Sequence, residues 1–256
     1  IVVNDASTDK TAEISRELNI RVIEHPSNTG YGRSLKSGIM AASYDMIMIT
    51  DADGTYTVEQ VKDLLPLYRK GFQLVVGARS GKHYYESWFK SPLRKILRLL
   101  VEFTAGEKIE DINSGFRLFS KQEVMPYLIR LCNTFSFTTS LTLSYLMTEK
   151  FVAHTKIDYE KRVGRSKVRL VRDSLRTLQY IVQMVLYYNP IKIFLILCAF
   201  NIVLGLFGFL LSIITNIAIG YYIGLFSIFS TMLWFAFGLL SEQLKQIMIS
   251  KDKSTH

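Results

Sequence analysis

Charge is what the last quarter of this sequence lacks. Between Lys192 and Glu242 lie 49 residues without an Asp, Glu, Lys, Arg or His. No soluble domain of this size needs such a run, which excludes an ordinary cytosolic protein. Cysteine is scarce: Cys132 and Cys198 fall in different regions, the second inside the apolar run, so neither a disulfide framework nor a zinc spacing can be built. Four scattered histidines (His25, His83, His154, His256) offer no metal cluster. The chain opens on Ile1, in mid-strand, and reads as an N-terminally incomplete piece with no signal peptide. With 49% hydrophobic and 21% charged residues, disorder and collagen-like repeats are excluded too.

The positive charge that is present is concentrated. Of a net +9, residues 161–176 supply seven basic residues (Lys161, Arg162, Arg165, Lys167, Arg169, Arg172, Arg176) against one acid, Asp173. Placed just before the apolar run, this cluster reads as a cytoplasmic juxtamembrane segment facing anionic lipid rather than a nucleic-acid surface.

Residues 1–160 alternate short β-rich runs with helical spacing. Strands are predicted at 1–3, 20–24, 46–50, 74–77, 116–120 and 151–157, and helices at about 9–18, 31–43, 58–70, 92–104, 121–131 and 138–150, with an aromatic loop at 83–90. Alternating strand and helix with continuous apolar strands predicts an α/β fold, a mainly parallel sheet covered on both faces. The tail divides into an interface helix over 166–188 and two spans, 190–215 and 217–240, each long enough at 1.5 Å per residue to cross a ~30 Å hydrocarbon core. Asn216 and Gly220 are expected at the turn between them, and basic residues at both ends of the pair predict a hairpin with both ends in the cytoplasm. The domain reading is a catalytic domain at 1–160, a basic interface segment at 161–189, a transmembrane hairpin at 190–242 and a cytoplasmic tail at 243–256.

Chemistry concentrates at Asp51-Ala52-Asp53, directly after the apolar strand. Side chains alternate along a strand, so these carboxylates point the same way, at the carboxyl end of a sheet, where open α/β folds bind ligands. Oxygen ligands of this kind suit Mg²⁺ or Mn²⁺ shared with a diphosphate. The opening Asn4-Asp5 ends a strand before a capped helix at the same edge; Asp5 is placed to accept hydrogen bonds from a base or ribose, and Ser7 or Asp9 to cap the helix.

VVNDASTDKT (2–11), NTGYGRSLKSG (28–38), TDADGTY (50–56), VGARSG (76–81), DINSGFRLF (111–119) and GRSK (164–167) occur in that order. The series resembles the family 2 inverting glycosyltransferases of GT-A fold, in the branch of dolichyl-phosphate mannose synthase and bactoprenol glucosyltransferase, over about residues 1–170. The resemblance implies a sugar transfer from a GDP- or UDP-sugar to a polyprenyl phosphate. On it, Asp5 matches a base contact, and Asp51 and Asp53 the metal-diphosphate motif. Ser114 and Gly115 lie in a D-P-x-S-G-like turn beside the donor sugar, opened by Asp111 and with Ile112 where proline is usual. Lys36 is a candidate for donor phosphates. Arg79, Arg94, Arg162 and Lys167 match cations that hold the acceptor phosphate, although one residue is missing between Arg162 and Gly164. Asp53, Arg79, Arg94 and Asp111 form the expected catalytic set. Thr55 stands where some relatives carry a metal-binding Gln, and the family's first strand and helix are absent. For the helix in SFTTSLTLSYL (136–146) no catalytic role is assigned.

A phosphate acceptor is already anionic and needs cations, whereas a sugar hydroxyl needs a general base. Residues 121–159 hold only Glu123, Glu149 and Asp158 as acids, and the Q-x-x-R-W signature of processive synthases is missing. The expectation is therefore an integral membrane enzyme working at the cytoplasmic face, with homo-oligomerisation left open. Its rivals are transfer to a lipid-linked glycan hydroxyl, and a catalytically weak membrane-tethered scaffold.

Overall fold

The structure, a computed structural model, describes residues 1–80, 99, 101–103, 105–160 and 170–254. The expected aromatic loop at 83–90, Arg94, Arg162, Lys167 and most of the basic cluster lie outside them. The chain divides into two compact units, Ile1–Ile181 and Val182–His256. That division falls inside the segment the sequence assigns to the interface, within helix α6 (Leu170–Tyr188).

In the first unit, β1 (Val2–Asn4), α1 (Thr11–Glu17), β2 (Val22–Glu24), α2 (Tyr31–Ala41) and β3 (Met46–Ile49) follow in order. A short 3-10 turn (Val58–Gln60) leads into α3 (Val61–Arg69), then β4 (Leu74–Ser80). Residues 99, 101–103 and 105 are helical. Next come β5 (Arg117–Ser120), α4 (Lys121–Leu128), α5 (Phe137–Met147) and β6 (Val152–Asp158). The start of α1 differs from the expected cap: Asp9 Oδ1 accepts from the Thr11 N–H at 3.0 Å, one residue ahead of the first helical turn.

Among the described residues the strands make two sheets, mainly parallel in sense, with one reversed strand. β1 and β2 pair in parallel on their own, and a four-stranded sheet runs β3-β5-β4-β6. Within it β4 and β6 are parallel, but β5 is antiparallel to both β3 and β4. The reason is local. β5 enters between two strands that run the other way, so the chain crosses their carboxyl ends through residues 111–116 before it turns back. Strand alternation then assigns the two faces. Leu74, Val76 and Phe119 join Ile39, Leu128, Phe137 and Leu141 on one side. Val75 and Leu118 join Leu64, Phe116 and Ile157 on the other. Both faces are covered, as the apolar strands predict.

The second unit holds α7 (Pro190–Thr215) and α8 (Ala218–Ser254). Both are long and apolar enough to cross a membrane, and only 17% of the most apolar window of each is buried, unlike the core helix of a soluble protein. Asn216, in the left-handed region at φ 51°, makes the turn. Gly220 does not, contrary to expectation: it lies inside α8 with its backbone against α7. A Cβ on Gly208 would meet the Gly220 carbonyl oxygen at 2.8 Å, and one on Gly220 would meet the Gly208 oxygen at 2.5 Å. Small residues let the two backbones meet where apolar side chains gain nothing by leaving lipid. The expected tail at 243–256 is also different in form, because α8 continues as helix to Ser254. Lys245 pairs there with Glu242 at 2.7 Å and donates to the Tyr188 carbonyl at 3.0 Å. Gly208→Leu should force the helices apart and cost about 1–3 kcal/mol, measured as a lengthened spin-label distance between α7 and α8 and a lower melting point in detergent.

Candidate active site

Asp51 and Asp53 follow β3 directly, at the carboxyl edge where β5 begins. Asp51 is held from two sides. Tyr31 on α2 donates its hydroxyl to Asp51 Oδ1 at 3.0 Å, and Tyr31 itself stacks on Phe135 with ring centroids 5.9 Å apart. Burial, then the Asp51 charge, pushes the Tyr31 phenol well above its usual range, so it remains a neutral donor. On the other side the Asp51 carboxylate lies against Gly115: a Cβ there would meet Oδ2 at 2.5 Å and Oδ1 at 2.8 Å. Asp53 Oδ1 accepts from Thr55 N–H (3.2 Å) and Thr55 Oγ1 (2.5 Å), and Thr55 is fully buried. Thr55 thus props the second acid.

The turn from Asp111 to Gly115 is built on buried polar groups. Arg79, at the end of β4, donates from Nε to Asp111 Oδ2 at 2.6 Å and from Nη2 to Oδ1 at 2.9 Å, and its guanidinium lies over the Tyr159 ring at 5.4 Å. The Asn113 N–H also donates to Asp111, at 3.2 Å. Gly115 N–H donates to the Tyr56 hydroxyl at 3.1 Å, and Tyr56 stacks on Phe116. Arg117, wholly buried on β5, donates to the Ser114 and Ile112 carbonyls and to Thr142 Oγ1, each at 2.7 Å. Burial lowers Arg117 to about 10, which leaves it charged at neutral pH. Thr139 donates to Asn113 Oδ1 at 3.0 Å. The hydroxyl-rich helix at 136–146, without an assignment from sequence, is the seat of this turn.

The expected residues divide accordingly. Asp51, Ser114, Gly115, Asp111 and Arg79 come together at one sheet edge, and Asp53 follows two residues after Asp51, bonded to Thr55. Asp111 and Arg79 are each other's partners, a pairing that spacing alone did not reveal. Lys36 is spent elsewhere: its ammonium donates to the Leu131 carbonyl at 2.5 Å, because α2 packs against the chain that leaves α4. The glycine-rich start of α2 serves the same approach, with Arg33 N–H donating to the Asn133 carbonyl at 3.1 Å. Asp5 is also heavily engaged. It accepts from Thr29 N–H (2.9 Å), Thr29 Oγ1 (2.8 Å) and Gly30 N–H (2.8 Å), and bonds His25 Nδ1 at 2.8 Å, while His25 Nε2 bonds Ser37 at 2.9 Å. Tyr31, Tyr56, Arg117, Thr139 and Thr142 escaped sequence reasoning. One signal was there: an arginine inside the apolar run GFRLF.

As hard oxygen donors the two acids after β3 fit Mg²⁺ or Mn²⁺. Among the described residues no group of three His, Cys, Asp or Glu side chains gathers to hold a metal. Two carboxylates would leave most of the shell of such an ion to oxygens from outside the described residues.

Three outcomes follow. Gly115→Ala should displace the Asp51 carboxylate and cost about 1–3 kcal/mol in urea unfolding. Arg79→Ala should leave Asp111 buried and unpaired, costing about 3–5 kcal/mol in urea unfolding. Burial raises the Asp5 carboxyl, but the His25, Thr29 and Gly30 bonds outweigh it and hold it at about 2 against an ordinary 3.8. A depressed carboxyl stabilises the fold above its unfolded value and loses that contribution as pH falls. The unfolding free energy from urea titration should therefore drop by about 2 kcal/mol more in wild type than in Asp5→Asn between pH 5 and pH 2.

Residues 1–127 match the family described as Glycosyl transferase family 2. The chain is similar to dolichyl-phosphate beta-glucosyltransferase ALG5C of Trichomonas vaginalis, 26% identical over 74% of this chain and 60% of that protein. It is also similar to a dolichyl-phosphate hexose transferase of Haloferax volcanii, 27% identical over 66% of this chain and 73% of that protein. Against an undecaprenyl-phosphate 4-deoxy-4-formamido-L-arabinose transferase of Salmonella paratyphi B it is 26% identical over 96% of this chain and 78% of that protein. The chain thus spans less than two thirds of the first of these relatives and about three quarters of the others. Among solved structures, glucosyl-3-phosphoglycerate synthase of Mycobacterium tuberculosis shares the fold. Its complex with Mn²⁺, uridine diphosphate and glucosyl-3-phosphoglycerate superposes with TM-score 0.57 at 19% identity, covering 72% of this chain and 67% of that one. Its complex with Mg²⁺ and uridine diphosphate gives TM-score 0.56 at 20% identity over the same shares. Residues 1–127 thus match the family 2 glycosyl transferases, in an α/β fold shared with glucosyl-3-phosphoglycerate synthase.

Proposed function

We propose that this protein transfers one sugar from a nucleoside diphosphate sugar to a polyprenyl phosphate at the cytoplasmic face of a membrane, inverting the anomeric carbon. The observation that carries the reading is the pair Asp51 and Asp53 after β3, with the Asp111–Gly115 turn closed against Asp51. Names of similar proteins support it: three of them act on dolichyl or undecaprenyl phosphate. The paired apolar helices support the membrane setting, and the basic residues that flank them in sequence support cytoplasmic ends.

In this reading Asp51 and Asp53 hold Mg²⁺ or Mn²⁺ against the donor diphosphate. When bound, the ion supplies positive charge to the leaving diphosphate. Ser114 and Gly115 border the sugar. Asp5 acts through the loop it ties down, shaping the 29–30 backbone on the nucleoside side. Arg79, oriented by Asp111, serves the acceptor side, together with Arg94, Arg162 and Lys167 beyond the described residues. The acceptor phosphate oxygen forms a bond to the anomeric carbon as the bond from that carbon to the diphosphate breaks, giving a lipid phosphosugar and a nucleoside diphosphate. A phosphate nucleophile needs orientation rather than deprotonation. Asp111 favours this over a hydroxyl acceptor, since a buried carboxylate gripped by Arg79 is poorly placed to take a substrate proton.

Membranes containing the chain, given a panel of UDP- and GDP-sugars and a short polyprenyl phosphate, should yield a lipid-linked sugar detected by mass. Asp53→Ala should lower that yield by at least about a hundredfold while the protein stays folded. No product from any donor, or undiminished product in Asp53→Ala, would contradict the proposal.

A further inference from the structure

We propose that Arg117 is a positioning residue of the donor site, holding the Asp111–Gly115 turn so that Asp51 can present its carboxylate to a divalent ion and diphosphate. The inference rests on the functional reading above and extends it to a residue that touches no ligand.

Arg117 sits in the middle of the sheet, its backbone opposite Ile49 of β3 and Val76 of β4, and it is 0% exposed. Taking a guanidinium out of water is costly, and an apolar side chain of similar volume at such a place is often at least as stable. What the guanidinium adds is a planar fork with fixed directions. Here the fork closes over one short piece of chain. Nε takes the Ser114 carbonyl and Nη2 the Ile112 carbonyl, on either side of Asn113. Two carbonyls held by one rigid plane fix the path of the turn between them.

The third donor ties the fork to the rest of the domain. Nη1 donates to Thr142 Oγ1, whose own proton goes to the Thr138 carbonyl at 3.0 Å. With its hydrogen committed inside α5, the hydroxyl can only accept from Arg117, so it sets the rotation of the fork. A second tie from the same helix, Thr139 to Asn113, steadies the tip of the turn. The turn passes this alignment on at its far end. Gly115 is the surface against which the Asp51 carboxylate rests, and any shift of the turn toward β3 closes the space that carboxylate fills. The chain of contact therefore runs from Thr142 through Arg117 and the turn to Asp51, every link a hydrogen bond or a van der Waals contact. Lysine could not substitute, since a single ammonium cannot span both carbonyls and the hydroxyl in one plane.

The test uses the full chain in detergent, with UDP and GDP each titrated by calorimetry across a series of Mn²⁺ concentrations, alongside thermal melting. Three variants are compared: Arg117→Lys, Thr142→Val, which keeps shape but removes the acceptor, and Thr142→Ser, which restores it. Outer partners of a metal ligand typically change metal affinity by 10–100-fold. Thr142→Val should therefore need about tenfold more Mn²⁺ for half-saturation, and Thr142→Ser should stay within about twofold of wild type. Arg117→Lys should be at least as impaired as Thr142→Val; if it does not fold, the Thr142 pair decides. A Thr142→Val chain that melts lower but binds with wild-type Mn²⁺ dependence would overturn the proposal, leaving Arg117 a merely structural residue. So would equal losses in the Val and Ser variants. A wild-type chain that binds neither nucleotide with Mn²⁺ would overturn the functional reading itself, and this inference with it.

Discussion

The chain that leads into β5 has to pass in contact with Asp51, because β5 runs backwards between β3, which the acids follow, and β4, which ends at Arg79 and Ser80. That reversal creates the site and also its difficulty. A turn of five residues, Asp111 to Gly115, is pressed into the sheet edge with Asp111, Ser114 and Gly115 buried, where polar groups need partners. The partners are drawn from every side: Arg117 and Thr142 from below, Arg79 against Asp111, Tyr56 on the Gly115 N–H, Thr139 on Asn113. One buried cation, one half-buried cation and one buried carboxylate are retained here at a cost in stability. The return is a carboxylate held in place before any ligand arrives, the condition electrostatic catalysis asks of its groups.

Much of this was legible from sequence, and the limits of that legibility have physical causes. The D-x-D after an apolar strand brings the acids to the sheet edge, but β3 ends at Ile49, so both lie in the loop beyond it, where strand alternation no longer sets their directions. The α/β alternation and both covered faces follow from the same periodicity. Strand direction does not: the short β5 reads the same in either sense, so its reversal within a mainly parallel set left no mark in the sequence. Nor does pairing. Arg79 and Asp111 are far apart in sequence and each looked like a ligand group, yet their clearest bonds are to one another. Lys36 beside two glycines resembled a phosphate site, but the glycines serve the close approach of α2 to residues 132–134. The threonines of α5 gave no signal, since a hydroxyl turned inward reads like one turned outward.

The second unit obeys a different rule. Its helices bury little apolar surface against each other and leave Phe200, Phe207, Phe226 and Phe229 outward. Their contact includes Gly208 and Gly220, where backbone meets backbone, and the ring pairs Phe194–Trp234 and Phe209–Tyr221. Composition alone announces the two spans. Which glycine turns the chain and which packs it depends on three-dimensional contact, so Gly220 was placed at the bend when Asn216 makes it.

The central claim is that the acids after β3 share a divalent ion with a diphosphate, seated on the Asp111–Gly115 turn. Anomalous scattering from crystals of the full chain grown with Mn²⁺ and UDP or GDP tests it most directly. The account predicts one manganese peak within bonding distance of a carboxylate of Asp51 or Asp53 and of diphosphate oxygens. A nucleotide bound with manganese elsewhere, or with both carboxylates turned away from it, would contradict the account.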